Sequence, residues 1–321
     1  MARPLTPAEI LATFDRWGVP HHQVDGWRTR SNSTGWSPKG VSGCMHHHTA
    51  WDGPDADQLH DLVVGGPKLR GPKANFGVRQ TGRIDIIAAG AANHAGGGDP
   101  RVLRAVQLES YGDFPPTTHK HHKSPGAVGG NGKLYGWETY CGGDSRPRMN
   151  VRQYRVLVLS TAAIVSALDA VDGPSTRWTG KSVIAHKEWS TNKPLDPRLD
   201  MRVDRADVTW CLEHGPEAAH RWFETGHRQG GPAPTPLAGP GTATATIAPP
   251  TTMKEPIMHT LVQLKDTDPV WISDLITRRW VQSTNELAVV QKSLKKAGVD
   301  TSVAVVPTLA PYGVPVGPQP Q

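Results

Sequence analysis

Residues 228–256 constrain this chain more than any other stretch. From Arg228-Gln229-Gly230-Gly231-Pro232 to Thr251-Thr252 the sequence is Pro, Gly, Thr and Ala with almost no charge. Such a segment has too little apolar surface to pack and reads as an extended, semi-rigid linker. It divides the 321 residues into a first domain at 1–227 and a small module at 257–321. The first is the size of an ordinary domain.

Within 1–227, hydrophobic spacing predicts the main elements. Thr6 caps a helix with Pro7 at its first position; Ile10, Leu11, Phe14 and Trp17 recur on one face, and Gly18 ends it. A second helix over 57–64 turns Leu59, Leu62 and Val63 inward. Val78 and Ile84 to Ala88 form a hairpin about Thr81-Gly82. Between Gly96 and Lys133 the pattern dissolves into a long polar insert. Its tract His119-Lys120-His121-His122-Lys123 reads as a solvated basic loop. The clearest helix runs from Val151 to Val171, with Tyr154, Leu157, Val158, Ala162, Val165 and Leu168 on one stripe. Thr161 is the polar member of that stripe, and its hydroxyl can bond back to a helix carbonyl. Ser182 to Ala185 is a short strand ending at His186. Strands and helices in this order imply an α/β (α+β) fold, a mixed central sheet with helices packed on it. In the module, Val262, Leu264, Val270, Trp271, Ile272, Ile276 and Trp280 indicate a small sheet, followed by a helix over Glu286 to Ala297.

Composition removes several function classes. No uninterrupted apolar run approaches the ~18 residues of a membrane span, so membrane insertion is not expected. Met1 to Leu5 lacks the charged and apolar regions of a signal peptide, which points to a cytoplasmic site of synthesis. The net charge of +6 attracts polyanions in general. Without a helix-turn-helix, Cys2His2 or RNA-recognition pattern, nucleic acid is not the expected partner. Cys44, Cys141 and Cys211 are odd in number and lack CxxC spacing, which argues for reduced thiols rather than a disulfide framework.

Two distant segments carry the chemistry: Cys44-Met45-His46-His47-His48-Thr49-Ala50, and Ala185-His186-Lys187-Glu188-Trp189 followed by Leu195-Asp196-Pro197. Together they offer two imidazoles and a carboxylate, the ligand set of a catalytic zinc site that leaves its fourth position to water. On a strand, side chains alternate between faces. Cys44 therefore points away from His47, and His46 and His48 face away from it together.

The surrounding words resemble a known family. Gly43 to Ala50 is similar to the "HHTA" strand end of zinc-dependent N-acetylmuramoyl-L-alanine amidases of the type 2 group, which includes phage endolysins and shares its fold with peptidoglycan recognition proteins. Gly82 to Gly90 with Ala92-Asn93-His94-Ala95-Gly96, then Tyr135-Gly136-Trp137-Glu138, then His186 to Met201, follow in the family's order over roughly residues 15 to 210. The actinophage endolysin branch is the most similar.

The resemblance implies that His47, His186 and Asp196 hold zinc, Glu138 acts on the attacking water, and His94 with Asn93 meets the substrate. The family's lysine lies two residues before the carboxylate ligand; Pro194 stands there, so Lys193 is the candidate for that role. A tyrosine found in some members before the hairpin is replaced by Ala74-Asn75-Phe76. Asp204 and Asp207 read as solvated or helix-starting residues. The implied activity is hydrolysis of the muramoyl–L-alanine amide of peptidoglycan, with module 257–321 binding a cell-wall polymer. Such an endolysin would wait in the host cytoplasm and reach the wall after membrane permeabilisation. The alternative is a non-catalytic peptidoglycan-binding protein of the same fold.

Overall fold

A computed structural model describes residues 1–142, 149–173 and 178–228 and the backbones of five later strands. The expected linker beyond Arg228 and the expected 286–297 helix lie outside the described residues. The chain divides into two units, Met1–Gln229 and Gly230–Gln321.

Helix α1 spans Pro7–Trp17 for local reasons. The Thr6 hydroxyl accepts the Glu9 amide, and the Glu9 carboxylate accepts the Thr6 amide, so two backbone donors at the helix start are satisfied within four residues. Ile10, Phe14 and Trp17 form its buried face. Gly18 closes it at φ 62, where a Cβ would also lie 2.6 Å from the His220 ring.

The elements that follow are β1 (His21–Gln23), β2 (Gly43–His48), α2 (Asp55–Val64), β3 (Gly65–Gly66), β4 (Leu69–Arg70), β5 (Phe76–Val78) and β6 (Ile84–Ile86). Then come β7 (Gly97–Gly98), α3 (Pro100–Leu108), β8 (Val128–Gly129), β9 (Leu134–Thr139), α4 (Val151–Asp172), β10 (Val183–Ala185), α5 (His186–Trp189) and α6 (Met201–Thr225). Six strands form the central sheet in the order β1-β6-β5-β9-β2-β10. All neighbours are parallel except β5 and β6, the expected hairpin.

The sheet is covered on both faces, as a mostly parallel sheet requires. Cys44, Tyr135, Trp137, Val183 and Ala185 pack on one side with the apolar residues of α1, α4 and α6. Met45, Leu134 and Ile184 alternate to the other side and meet Val102, Leu103 and Val106 of α3 and Trp189 of α5. Helix α3 is an addition to the sequence reading, which treats 97–132 as an irregular insert. Asp99 caps the Arg101 amide, Pro100 takes the first turn, and four residues of this short helix are buried.

Helix α4 is capped by an Asn150/Gln153 box and is buried almost all round. It is long and apolar enough to cross a membrane by length and composition, with mean hydropathy 1.6 over its best window. Its place between the sheet, α1 and α6 accounts for that composition, since a helix enclosed by protein has no polar face to keep. Helix α6 is interrupted at Gly215 (φ 79) and Pro216, which together break its ladder. Cys44, Cys141 and Cys211 are all buried.

In the second unit, β11 (Thr260–Leu264), β12 (Val270–Ser273), β13 (Thr277–Val281), β14 (Val303–Val306) and β15 (Val314–Pro315) form a sheet in the order β14-β11-β12-β13-β15. The consecutive pairs β11/β12 and β12/β13 are antiparallel.

Candidate metal centre

Strand register assembles the site. In the parallel pair β2/β9, His47 stands opposite Glu138, so an imidazole and a carboxylate share one sheet face at its C-terminal edge. In the pair β2/β10, Ala185 stands opposite His46, so the next residue, His186, opens α5 at the level of His47. The loop after α5 turns back, with the Lys187 amide donating to the Asp196 carbonyl at 2.6 Å, and brings the Asp196 carboxylate to the two rings.

Three atoms converge there. His47 Nδ1 and His186 Nδ1 are 3.0 Å apart, and Asp196 Oδ2 lies 3.3 Å from the first and 3.2 Å from the second. All three residues are buried. A tetrahedral zinc ion with bonds of about 2.05 Å has ligand-to-ligand edges of about 3.3 Å. The triangle fits such an ion, and the donor set of two nitrogens and one carboxylate oxygen is one that zinc takes. The other carboxylate oxygen, Asp196 Oδ1, accepts the His48 amide at 2.9 Å.

Further bonds hold the rings from behind. His47 Nε2 lies 3.0 Å from His94 Nδ1, and His94 Nε2 lies 2.9 Å from the Leu134 carbonyl. Asn93 reaches the same cleft, but its amide is engaged within the protein: it donates to the Arg70 carbonyl and accepts from Asn32 and Asn131. Asn131 Oδ1 in turn accepts the amides of Ala95 and Gly96, fixing the backbone just past His94.

The electrostatics follow from burial and crowding. Burial, partly offset by Asp196, holds His47 down to about 4. Burial, with the neighbouring His47 ring, lowers His94 well below the usual histidine value. Burial alone would raise Asp196, but His47 and His186 outweigh it and hold the carboxyl below the usual range. Glu138 goes the other way: burial, then the Asp196 charge, raises it well above an ordinary carboxyl. Its Oε2 is buried without a hydrogen-bond partner among the described residues.

His94, Glu138, His186 and Asp196 border a cleft of about 500 Å³ whose lining also includes Trp51, Leu69, Lys193 and Leu195, with His47 behind it. Lys193 thus shares the cleft with Glu138, although Pro194 and not a lysine stands two residues before Asp196. Trp51 is 40% exposed, and its ring packs so closely on Gly53 that a Cβ there would lie 2.5 Å away. The histidines of the 119–123 tract, His119, His121 and His122, are exposed, as the sequence predicts, and are not among the cleft residues.

Three sequence expectations behind the centre are corrected. Asp204 does stand in the first turn of its helix, one of the two readings given for it, but it is fully buried rather than solvated, with Oδ2 3.1 Å from His46 Nδ1. Thr161 does not turn back onto its helix; its hydroxyl lies 2.8 Å from His46 Nε2. Asp207 is buried too, bonded to the Tyr154 hydroxyl at 2.7 Å and to Arg228. A signal for Asp204 exists in the spacing of Met201, Asp204, Val208 and Cys211, the buried stripe of α6. Carboxylate, imidazole and hydroxyl stand here in the order of a nucleophilic triad, but each is 0% exposed, so no substrate reaches the hydroxyl. His48 departs from strict alternation: at the end of β2 its Nδ1 comes within 3.6 Å of Asp196 Oδ1.

No family model, curated protein or solved structure matches the chain.

Proposed function

We propose that the first unit is a zinc-dependent amide hydrolase that cleaves the bond between the lactyl group of N-acetylmuramic acid and L-alanine in peptidoglycan. One observation carries the hydrolase reading: three ligand atoms form a zinc-sized triangle at a cleft that also presents the half-buried Glu138, whose Oε2 has no hydrogen-bond partner among the described residues. The choice of amide rests on the sequence words around these residues, which resemble the type 2 amidases.

Zinc bound by His47, His186 and Asp196 would supply a Lewis acid and a water acidic enough to react near neutral pH. Glu138 sits one strand away from His47 and accepts the proton of the attacking water on its carboxylate. Its raised proton affinity then suits it to return that proton to the departing L-alanine nitrogen. Lys193 places a cation on the same cleft, where it can offset negative charge that develops on the carbonyl oxygen. The Trp51 ring, flat and part-exposed at the rim, offers a face for a sugar. The 257–321 module fits a role in holding the enzyme on the wall, as its place after the linker implies.

End-group analysis of purified peptidoglycan tests the reading. New L-alanine amino termini should form, disappear when a chelator is added, and return with zinc. Wall binding without new ends, despite bound zinc, would instead identify a non-catalytic recognition protein.

A further inference from the structure

His94 has no nitrogen to spare for a substrate. A carbonyl oxygen only accepts, so the 2.9 Å contact between His94 Nε2 and the Leu134 carbonyl puts a hydrogen on Nε2. In a neutral ring the other nitrogen, Nδ1, is then an acceptor. Its partner at 3.0 Å is His47 Nε2, which must therefore carry the hydrogen of that bond. A neutral His47 with its hydrogen on Nε2 presents a bare lone pair at Nδ1, and Nδ1 is the atom that faces His186 and Asp196.

We infer that His94 is a positioning residue, not a substrate contact: through the Leu134 carbonyl it fixes His47 in the one tautomer that leaves Nδ1, the atom facing His186 and Asp196, free to ligate a metal. The inference rests on the zinc reading above for its purpose but not for its geometry. The relay starts from main chain, which cannot change its role, and so a single proton arrangement is imposed on both rings.

The surroundings are shaped for this job. Gly136, on β9 between Leu134 and Glu138, lies against the His94 ring, and a Cβ there would come within 2.6 Å of Cγ. The Gly136 peptide is itself clamped by Asn75, whose amide donates to its carbonyl and whose side-chain oxygen accepts its amide, both at 3.0 Å. Asn131 fixes the backbone on the far side of His94. Partners that orient a metal-bound histidine commonly change metal affinity ten- to a hundredfold when removed.

Two measurements on the full chain test this. Nitrogen-15 spectra of the histidine rings in metal-free wild-type protein should show His94 and His47 each as a single tautomer with the hydrogen on Nε2. His94 with its hydrogen on Nδ1, or His47 as a tautomer mixture, would overturn the assignment, whatever any variant does. By chelator competition, His94→Phe, which keeps the volume without the nitrogens, should bind zinc about ten- to a hundredfold more weakly. Gly136→Ala, which displaces the ring without removing a nitrogen, should weaken binding in the same direction and serves if His94→Phe does not fold. Zinc affinity within twofold of wild type in a folded variant would refute the positioning role. Wild-type protein that binds no zinc, yet shows both tautomers, would sink the metal reading and leave the relay standing.

Discussion

Behind the metal centre, His46 and Asp204 form a fully buried contact whose removal has a calculable cost. The two polar atoms are 3.1 Å apart, and both residues are 0% exposed. The approach lacks hydrogen-bond geometry, so the attraction is one of charge, and with the imidazole protonated it would be roughly 5 kcal/mol at an effective dielectric of about 20. Burying each charge costs several kcal/mol, so the pair as a whole is close to neutral for stability. Removing one member is different, because the survivor keeps its desolvation cost and loses its partner. Asp204→Leu or His46→Leu should each destabilise the first unit by about 3–5 kcal/mol. The double variant should recover to within about 1–2 kcal/mol of wild type, since an apolar pair of similar volume carries no desolvation cost. In it the Thr161 hydroxyl, deprived of His46, can turn back to a carbonyl of its own helix. Urea unfolding of the full chain, followed by tryptophan fluorescence, would measure all three. A single variant costing under about 1 kcal/mol, or a double variant as unstable as the sum of the singles, would refute the argument.

Other expectations are more direct. Glu138→Gln should lower kcat by about 10²–10⁴-fold with zinc content unchanged, and in the wild type the acid limb of the rate profile should lie above the ordinary carboxylate range. The sign for stability is opposite: folded Glu138 holds its proton to higher pH than the unfolded chain, so metal-free stability falls as pH rises through that interval. Glu138→Gln should remove this decline in a pH series of denaturation curves. Asp99, held down to about 2 by Arg101 and the amides it caps, contributes above its unfolded value and loses that contribution as pH falls toward 2. Asp99→Ala should cost about 1 kcal/mol at neutral pH and little at pH 2 by the same assay. Trp51→Ala should raise KM for glycan-linked substrate about tenfold with kcat nearly unchanged, corresponding to a stacking contact of about 1.4 kcal/mol; a fall in kcat alone would remove Trp51 from the binding face.

What the sequence reveals depends on how local the cause is. Helix α1 is legible because Thr6, Pro7, Glu9 and Gly18 are cap, first turn, return bond and stop within a dozen residues. The β5/β6 hairpin and α4 are legible for the same reason. Helix α3 carries equally local marks, Asp99 as cap and Pro100 after it, but its apolar stripe is brief and lost within a polar insert. The metal ligands are legible only through the wording of separated motifs, since His47 and Asp196 are 149 positions apart. Asp204 and Asp207 mislead because a charged residue near a helix start is usually solvated. The apolar stripe of α6 marks the position of Asp204, but the partners that settle both burials, His46 on β2, Tyr154 and Arg228, lie elsewhere in the chain. The same holds for His94, whose partners at residues 47 and 134 come from two other strands.

The carboxylate of Asp196 is divided between two duties, one oxygen turned to the histidine pair and the other bound to the His48 amide. An ion set between the histidine nitrogens would meet Oδ2 first, because the amide orients Oδ1 toward the main chain. That division favours a single bond from Asp196 and would keep the coordination number of a bound ion low. Calcium, which takes six to eight oxygens, and magnesium, which demands a near-ideal octahedron, are poorly served by such a site. A four-coordinate ion with a vacancy for the reacting group is served well. The selectivity of the proposed centre would then draw on a main-chain amide, which among substitutions at residue 48 only proline would remove.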